Sequence, residues 1–125
     1  MYIDDEDSLV LLMELSLKRL GYSVRGFTEP ATAVAEFARS PQEFDVVITD
    51  LAMPGMTGRQ LAAKIREISK DVPIIMTSGY IRDEDREAAR QLNINQLVYK
   101  SNTVQLLTEA LAAEIAKFVK RNAEQ

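Results

Sequence analysis

Asp4, Asp5, Asp50, Ser78 and Lys100 are the residues whose types suit chemistry. The acidic run Asp4-Asp5-Glu6-Asp7 follows the apolar pair Tyr2-Ile3, and Asp50 follows the β-branched run Val46-Val47-Ile48. Ser78 lies one residue beyond Thr77, and Lys100 closes the stretch from Gln96 to Tyr99. The chain has no His and no Cys, which removes the commonest base near neutral pH, the commonest metal ligand, disulfides and thiolate chemistry. Any metal must be held through oxygen, which favours magnesium, calcium or manganese. Two like charges roughly 4 Å apart repel by about 4 kcal/mol at an effective dielectric near 20. Carboxylates crowded beside one ammonium therefore need a raised pKa or a bound cation. Magnesium fits, because it takes one or two protein carboxylates and completes its octahedron with water and phosphate oxygens.

Such a set is half of a phosphoryl-transfer site. The metal and Lys100 would neutralise the transferring oxygens, Ser78 would donate a hydrogen bond, and one carboxylate would attack. Asp50 is the natural nucleophile, since it ends a buried strand and precedes a loop, while the adjacent Asp4 and Asp5 suit the cation. Without His, no phosphohistidine relay can run inside the chain, so the donor is a partner protein or a small molecule. Taken singly, each residue has a plain reading: Asp and Ser cap helices, and a terminal Lys is usually solvated. Only elements that bring all of them to one edge favour the chemical reading.

Short apolar strands alternate with amphipathic helices in the required way. Tyr2-Ile3 is a stub of strand, and Leu9, Met13, Leu17 and Leu20 then recur at helical spacing up to the stop at Gly21. Tyr22 to Phe27 reads as a second strand, and Thr28 as the cap of a helix with Pro30 in its first turn and Val34, Phe37 and Ala38 inward, ended by Ser40-Pro41. Val46-Val47-Ile48 reads as a strand covered on both faces. After the loop Pro54 to Gly58 comes a helix with Leu61, Ile65 and Ile68 on one face, then a strand from Val72 to Met76. Asp83 is expected to cap a helix to about Leu92, Gln96 to Tyr99 is a fifth strand, and Val104, Leu107, Leu111, Ile115 and Phe118 mark a last helix. Right-handed crossovers turn this order into a parallel α/β sheet between helices, with ligands gathering at the carboxyl ends of its strands. Those ends carry Asp4, Asp5, Asp50, Ser78 and Lys100.

The 125 residues suit one domain and one core without staples. Fifteen basic against 19 acidic residues leave a net charge of −4, which lacks the basic footprint of nucleic-acid binding. The longest uninterrupted apolar run is Leu9 to Met13, far below the ~18 residues of a membrane span. No export signal is visible, and a cytoplasmic domain is expected. Met53, Met56 and Met76 are expected as buried gap-fillers, and the charged stretch from Arg82 to Arg90 as a solvated helix face.

At this point the sequence resembles the receiver domains of bacterial response regulators. The resemblance runs from Tyr2 to about Val119, through Tyr-Ile-Asp-Asp-Glu at 2–6, Phe-Asp-Val-Val-Ile-Thr-Asp-Leu-Ala-Met-Pro-Gly-Met-Thr-Gly at 44–58, Pro-Ile-Ile-Met-Thr-Ser-Gly-Tyr at 73–80 and Val-Tyr-Lys at 98–100. It implies a single doubly wound, flavodoxin-like domain over 1–125 with strand order 2-1-3-4-5. It implies that Asp50 accepts phosphate from a sensor histidine kinase or a histidine phosphotransfer protein. Asp5 and Asp50 would hold magnesium (or manganese) directly, Asp4 through water, and the Ala52 backbone carbonyl would complete the set. Ser78 and Lys100 would bind phosphoryl oxygens. The partner surface would include Tyr80, Leu97 and Tyr99 and could pair with a second copy of the receiver, and no enzyme activity beyond slow self-catalysed phosphoryl transfer and dephosphorylation is implied.

Departures from that family pattern carry their own expectations. Ser101 stands where receivers have a proline after a cis bond, and a cis bond there would cost about 3–4 kcal/mol, so Lys100–Ser101 is expected to be trans. Leu97 stands at the position of the switch aromatic, and Tyr99 is expected on the opposite face of the strand. The first strand is short, which favours an excerpt from a longer protein such as a hybrid sensor kinase. Two other readings are a degenerate receiver that binds partners without phosphorylation and an aspartate-nucleophile phosphatase. The latter needs an acid two residues after the nucleophile, where Ala52 stands.

Overall fold

The computed structural model describes residues 1–100 and 103–123. Its elements in chain order are β1 (Tyr2–Ile3), α1 (Asp7–Arg19), β2 (Gly26–Phe27), α2 (Pro30–Arg39), a single 3-10 turn (Pro41–Glu43), β3 (Val47–Asp50), α3 (Gly58–Ile68), β4 (Ile74–Ser78), α4 (Asp83–Gln91), β5 (Gln96–Tyr99) and α5 (Thr103–Ala123). All strand pairs are parallel, and the order across the sheet is β2-β1-β3-β4-β5. This is the expected doubly wound α/β architecture.

Pleat alternation sends successive strand residues to opposite faces, and two cores result. On one face Ile3, Val47, Ile74 and Met76 pack with Phe37 of α2 and Leu61 and Ile65 of α3. On the other, Tyr2, Ile48, Ile75 and Val98 pack with Val10, Met13 and Leu17 of α1 and Leu107 and Leu111 of α5. Met53 and Met76 are buried and Met56 packs against the first core, as expected of gap-fillers. Arg66 of α3 ties the lower part of that face together, donating to the carbonyls of Val72 at 2.6 Å, Leu92 at 2.8 Å and Asn93 at 2.8 Å.

Several boundaries differ from the sequence reading. Strand β2 is two residues long rather than running from Tyr22, because β1 offers it only the pairs Tyr2↔Gly26 and Ile3↔Phe27. Pro30 takes the first helical position of α2, so Glu29 rather than Thr28 is the N-cap. Arg82, in extended conformation, precedes α4 as its N-cap, and its backbone N–H donates to Asp85 at 2.9 Å, while Asp83 lies in the first turn. Leu20 and Ile68 stand at helix ends and are exposed. Val104 is also exposed, whereas Leu107 and Leu111 are buried. Leu97 and Tyr99 share one face of the pleat, being two residues apart, so the expected opposition is wrong. They differ in depth instead: Leu97 packs against the first core, whereas Tyr99 at the strand end is 43% exposed. Gly21 ends α1 at φ +97°, a left-handed conformation that suits glycine. The expectations at Ser101 and at the Phe118 side chain lie outside the described residues.

Candidate functional site

Parallel winding brings the carboxyl ends of β1, β3 and β5 to one place. Asp4 follows β1, Asp50 ends β3, and Lys100 follows β5. One oxygen from each of Asp4, Asp5 and Asp50 lies within 4.8 Å of the others. Asp4 and Asp50 are almost fully buried, while Asp5 faces solvent. Lys100 reaches over the sheet from β5, with its Nζ 3.0 Å from Asp50 Oδ2 and 3.1 Å from Asp4 Oδ2.

Local chemistry holds each carboxylate. The Glu6 backbone N–H donates to Asp4 Oδ1 at 3.0 Å, in the turn that leads into α1. The Ala52 N–H reaches Asp50 Oδ1 at 3.4 Å. The backbone beyond Asp50 is fixed by two further bonds, Leu51 N–H to the Thr77 carbonyl at 2.8 Å and Gly58 N–H to the Leu51 carbonyl at 2.9 Å. Gly58 must lack a side chain there: a Cβ would lie 2.2 Å from the Asp50 carbonyl oxygen and 2.8 Å from Leu51 Cα. A capping box at Thr57 and Gln60 starts α3 directly behind this contact.

Burial is the main electrostatic influence. It pushes the Asp4 and Asp50 carboxyls above the usual carboxylate range, and the neighbouring hydrogen bonds and the Lys100 charge offset this only in part. Burial alone would lower the Lys100 ammonium, but the Asp50 and Asp4 carboxylates outweigh it and hold Lys100 above its ordinary value. The site is thus short of positive charge even with Lys100 in place. Asp4 Oδ2 is buried and, among the described residues, has no hydrogen-bond partner beyond its ion pair with Lys100. Three carboxylates on this spacing, with no softer donor available, fit a hard divalent cation held through oxygen.

Not every expected residue joins this group. The Ser78 hydroxyl donates to the Tyr80 carbonyl at 2.6 Å and accepts from the Tyr80 N–H at 3.2 Å, so its own loop engages it. Tyr80 is 71% exposed. Two residues that shape the site were passed over in the sequence reading, which took Pro54 to Gly58 as plain loop. The Thr57-x-x-Gln60 spacing is a capping-box signature, so the start of α3 was available in the sequence. The need for glycine at 58 depends on a contact with Asp50 that no local pattern carries.

Comparisons with known proteins agree with this geometry. A family model described as the response regulator receiver domain matches residues 1–112. Sensor protein EvgS of Escherichia coli is 31% identical over 109 residues, covering 87% of this chain and 9% of EvgS. Sensory transduction protein RegX3 of Mycobacterium tuberculosis is 28% identical over 115 residues, covering 92% of this chain and 49% of RegX3. The chain therefore spans less than half the length of either relative. Among solved structures, response regulator TrrA of Thermotoga maritima, in complex with Mg2+ and BeF, superposes with a TM-score of 0.78 at 27% identity, covering 90% of this chain and 95% of that one.

Proposed function

The chain belongs to the response regulator receiver family of two-component signalling, and on that premise we propose that Asp50 accepts a phosphoryl group from the phosphohistidine of a partner kinase or phosphotransfer protein. The observation that carries this reading is the Lys100 ammonium set between two buried carboxylates, with a third carboxylate beside them. An Asp50 oxygen attacks phosphorus, a P–O bond forms, and the P–N bond to the donor imidazole breaks. Magnesium, or manganese, would supply positive charge to the transferring oxygens when bound. Asp5 and Asp50 would hold it directly, Asp4 through water, and the Ala52 carbonyl would add a neutral ligand. Lys100 would follow the charge onto the phosphoryl group, and Ser78 would leave Tyr80 to donate to it.

An exposed apolar strip supports a protein donor. Leu11, Leu12 and Leu15 of α1 are at least half exposed, and α1 begins three residues after Asp4. A donor that covers this strip sits beside the acidic rim. Exposed Tyr99, with Leu97 beneath it, offers a separate surface for an output partner or a second copy. Among the described residues, no helix is long and apolar enough to cross a membrane.

The test is incubation with acetyl phosphate and magnesium, followed by intact-mass measurement. A single phosphate adduct that Asp50→Asn abolishes is expected. No adduct in the wild type would leave a protein-binding module, and rapid multiple turnover would mark a phosphatase. Either result overturns the reading.

A further inference from the structure

Thr77 stands next to Asp50 across the sheet. The β3–β4 ladder pairs the two residues directly. Ile48 and Ile75, two positions earlier on each strand, both lie in the core beneath α1 and α5, so pleat alternation places Asp50 and Thr77 on that same face. Thr77 is 1% exposed, and its Oγ1 is buried without a hydrogen-bond partner among the described residues. Thr49 shows the ordinary arrangement, since its hydroxyl donates to the Asp50 carbonyl at 3.0 Å. A buried hydroxyl left unpaired is costly, and valine would fill the same volume without that cost. The hydroxyl already placed at the site, that of Ser78, is held by Tyr80.

We propose that Thr77 is a second hydroxyl of the phosphoryl site, donating to the Asp50 carboxyl oxygen that stays unesterified once the other carries phosphate. This rests on the reading of Asp50 as the phosphoacceptor. In the resting site Asp50 Oδ2 accepts from Lys100, and among the described residues Oδ1 has only the long 3.4 Å bond from Ala52. Phosphorylation draws the Lys100 charge toward the phosphoryl oxygens and leaves the acyl oxygen in need of a donor. Thr77, paired with Asp50 across the ladder, carries a buried hydroxyl with no hydrogen-bond partner among the described residues. Hydrolysis then proceeds by water attack on phosphorus: a new P–O bond forms, the Asp50 Oδ–P bond breaks, and the electron pair returns to the carboxylate. A donor on that carboxylate stabilises it as leaving group and speeds the step.

The experiment measures the decay of the phosphate adduct in the wild type, Thr77→Val, Thr77→Ala and Thr77→Ser after removal of acetyl phosphate. Both variants without a hydroxyl are expected to hold phosphate about five-fold longer, the worth of one ordinary hydrogen bond. Thr77→Ser is expected to decay at the wild-type rate, a rescue that a purely structural role would not produce. Decay of Thr77→Val and Thr77→Ala within two-fold of the wild type overturns the proposal, as does slow decay in Thr77→Ser. Absence of any adduct on the wild type overturns the phosphoacceptor reading itself, which separates the two failures.

Discussion

Asp50 and Asp4 are buried carboxylates whose ionised forms the fold disfavours, because burial outweighs what Lys100 and the backbone N–H groups return. Their pKa values rise from 3.8, so the folded state keeps protons that the unfolded chain has already released. Stability of the metal-free protein should therefore fall as pH rises from 3.8 through the raised values of the two carboxyls. Asp50→Asn removes one buried charge and keeps the shape. Because burial is the largest influence on Asp50, the substitution should stabilise the metal-free protein at neutral pH, seen as a higher melting temperature. A lower melting temperature in this variant would mean that the Lys100 ion pair outweighs the cost of burial.

At the scale of elements, the turn from β3 to α3 decides where Asp50 points. Gly58 lies against the Asp50 and Leu51 backbone, and the atoms a side chain would strike are main chain, which cannot swing aside. Gly58→Ala should cost about 2 kcal/mol through overpacking. It should also slow phosphorylation by acetyl phosphate, since a displacement of about 1 Å at a reacting group costs up to ~100-fold in rate. Denaturant unfolding and adduct formation measure the two effects, and a variant with wild-type values in both would show that α3 can shift freely. Local spacing made the helices legible: Met13 and Leu17 on α1 and Leu61 and Ile65 on α3 lie on the faces their periodicity indicated. The N-caps were less legible, because Thr28 and Asp83 are good capping residues by type while Pro30 and the Arg82–Asp85 bond set the actual starts.

For the molecule as a whole, the three clustered carboxylates at one edge of the sheet should make stability respond to cations. Magnesium at about 100 times its dissociation constant should stabilise the protein by about 2.7 kcal/mol. The gain should grow as pH rises above 3.8, as protons leave Asp4 and Asp50. Thermal melts with and without magnesium check this, and Asp5→Asn should lose most of the gain, because it removes the exposed carboxylate from the three that cluster. An equal gain in that variant would place the cation elsewhere.

Residue chemistry and element order were determined by the sequence alone. The absence of His and Cys, the acidic run at residues 4–7, and Asp50 and Lys100 at the ends of apolar stretches already pointed to an edge of a parallel sheet that suits a hard cation and a phosphate-type ligand. Contacts between distant segments were decided only by the tertiary structure. They are the sharing of Lys100 by Asp4 and Asp50, the pairing of Asp50 with Thr77, the fit of Gly58 against the Asp50 backbone, and the shortening of β2 to match β1. Helical periodicity is written within a few neighbouring residues, whereas strand register and the contacts that follow from it join segments tens of residues apart, and these are set when two cores close on both faces of the sheet.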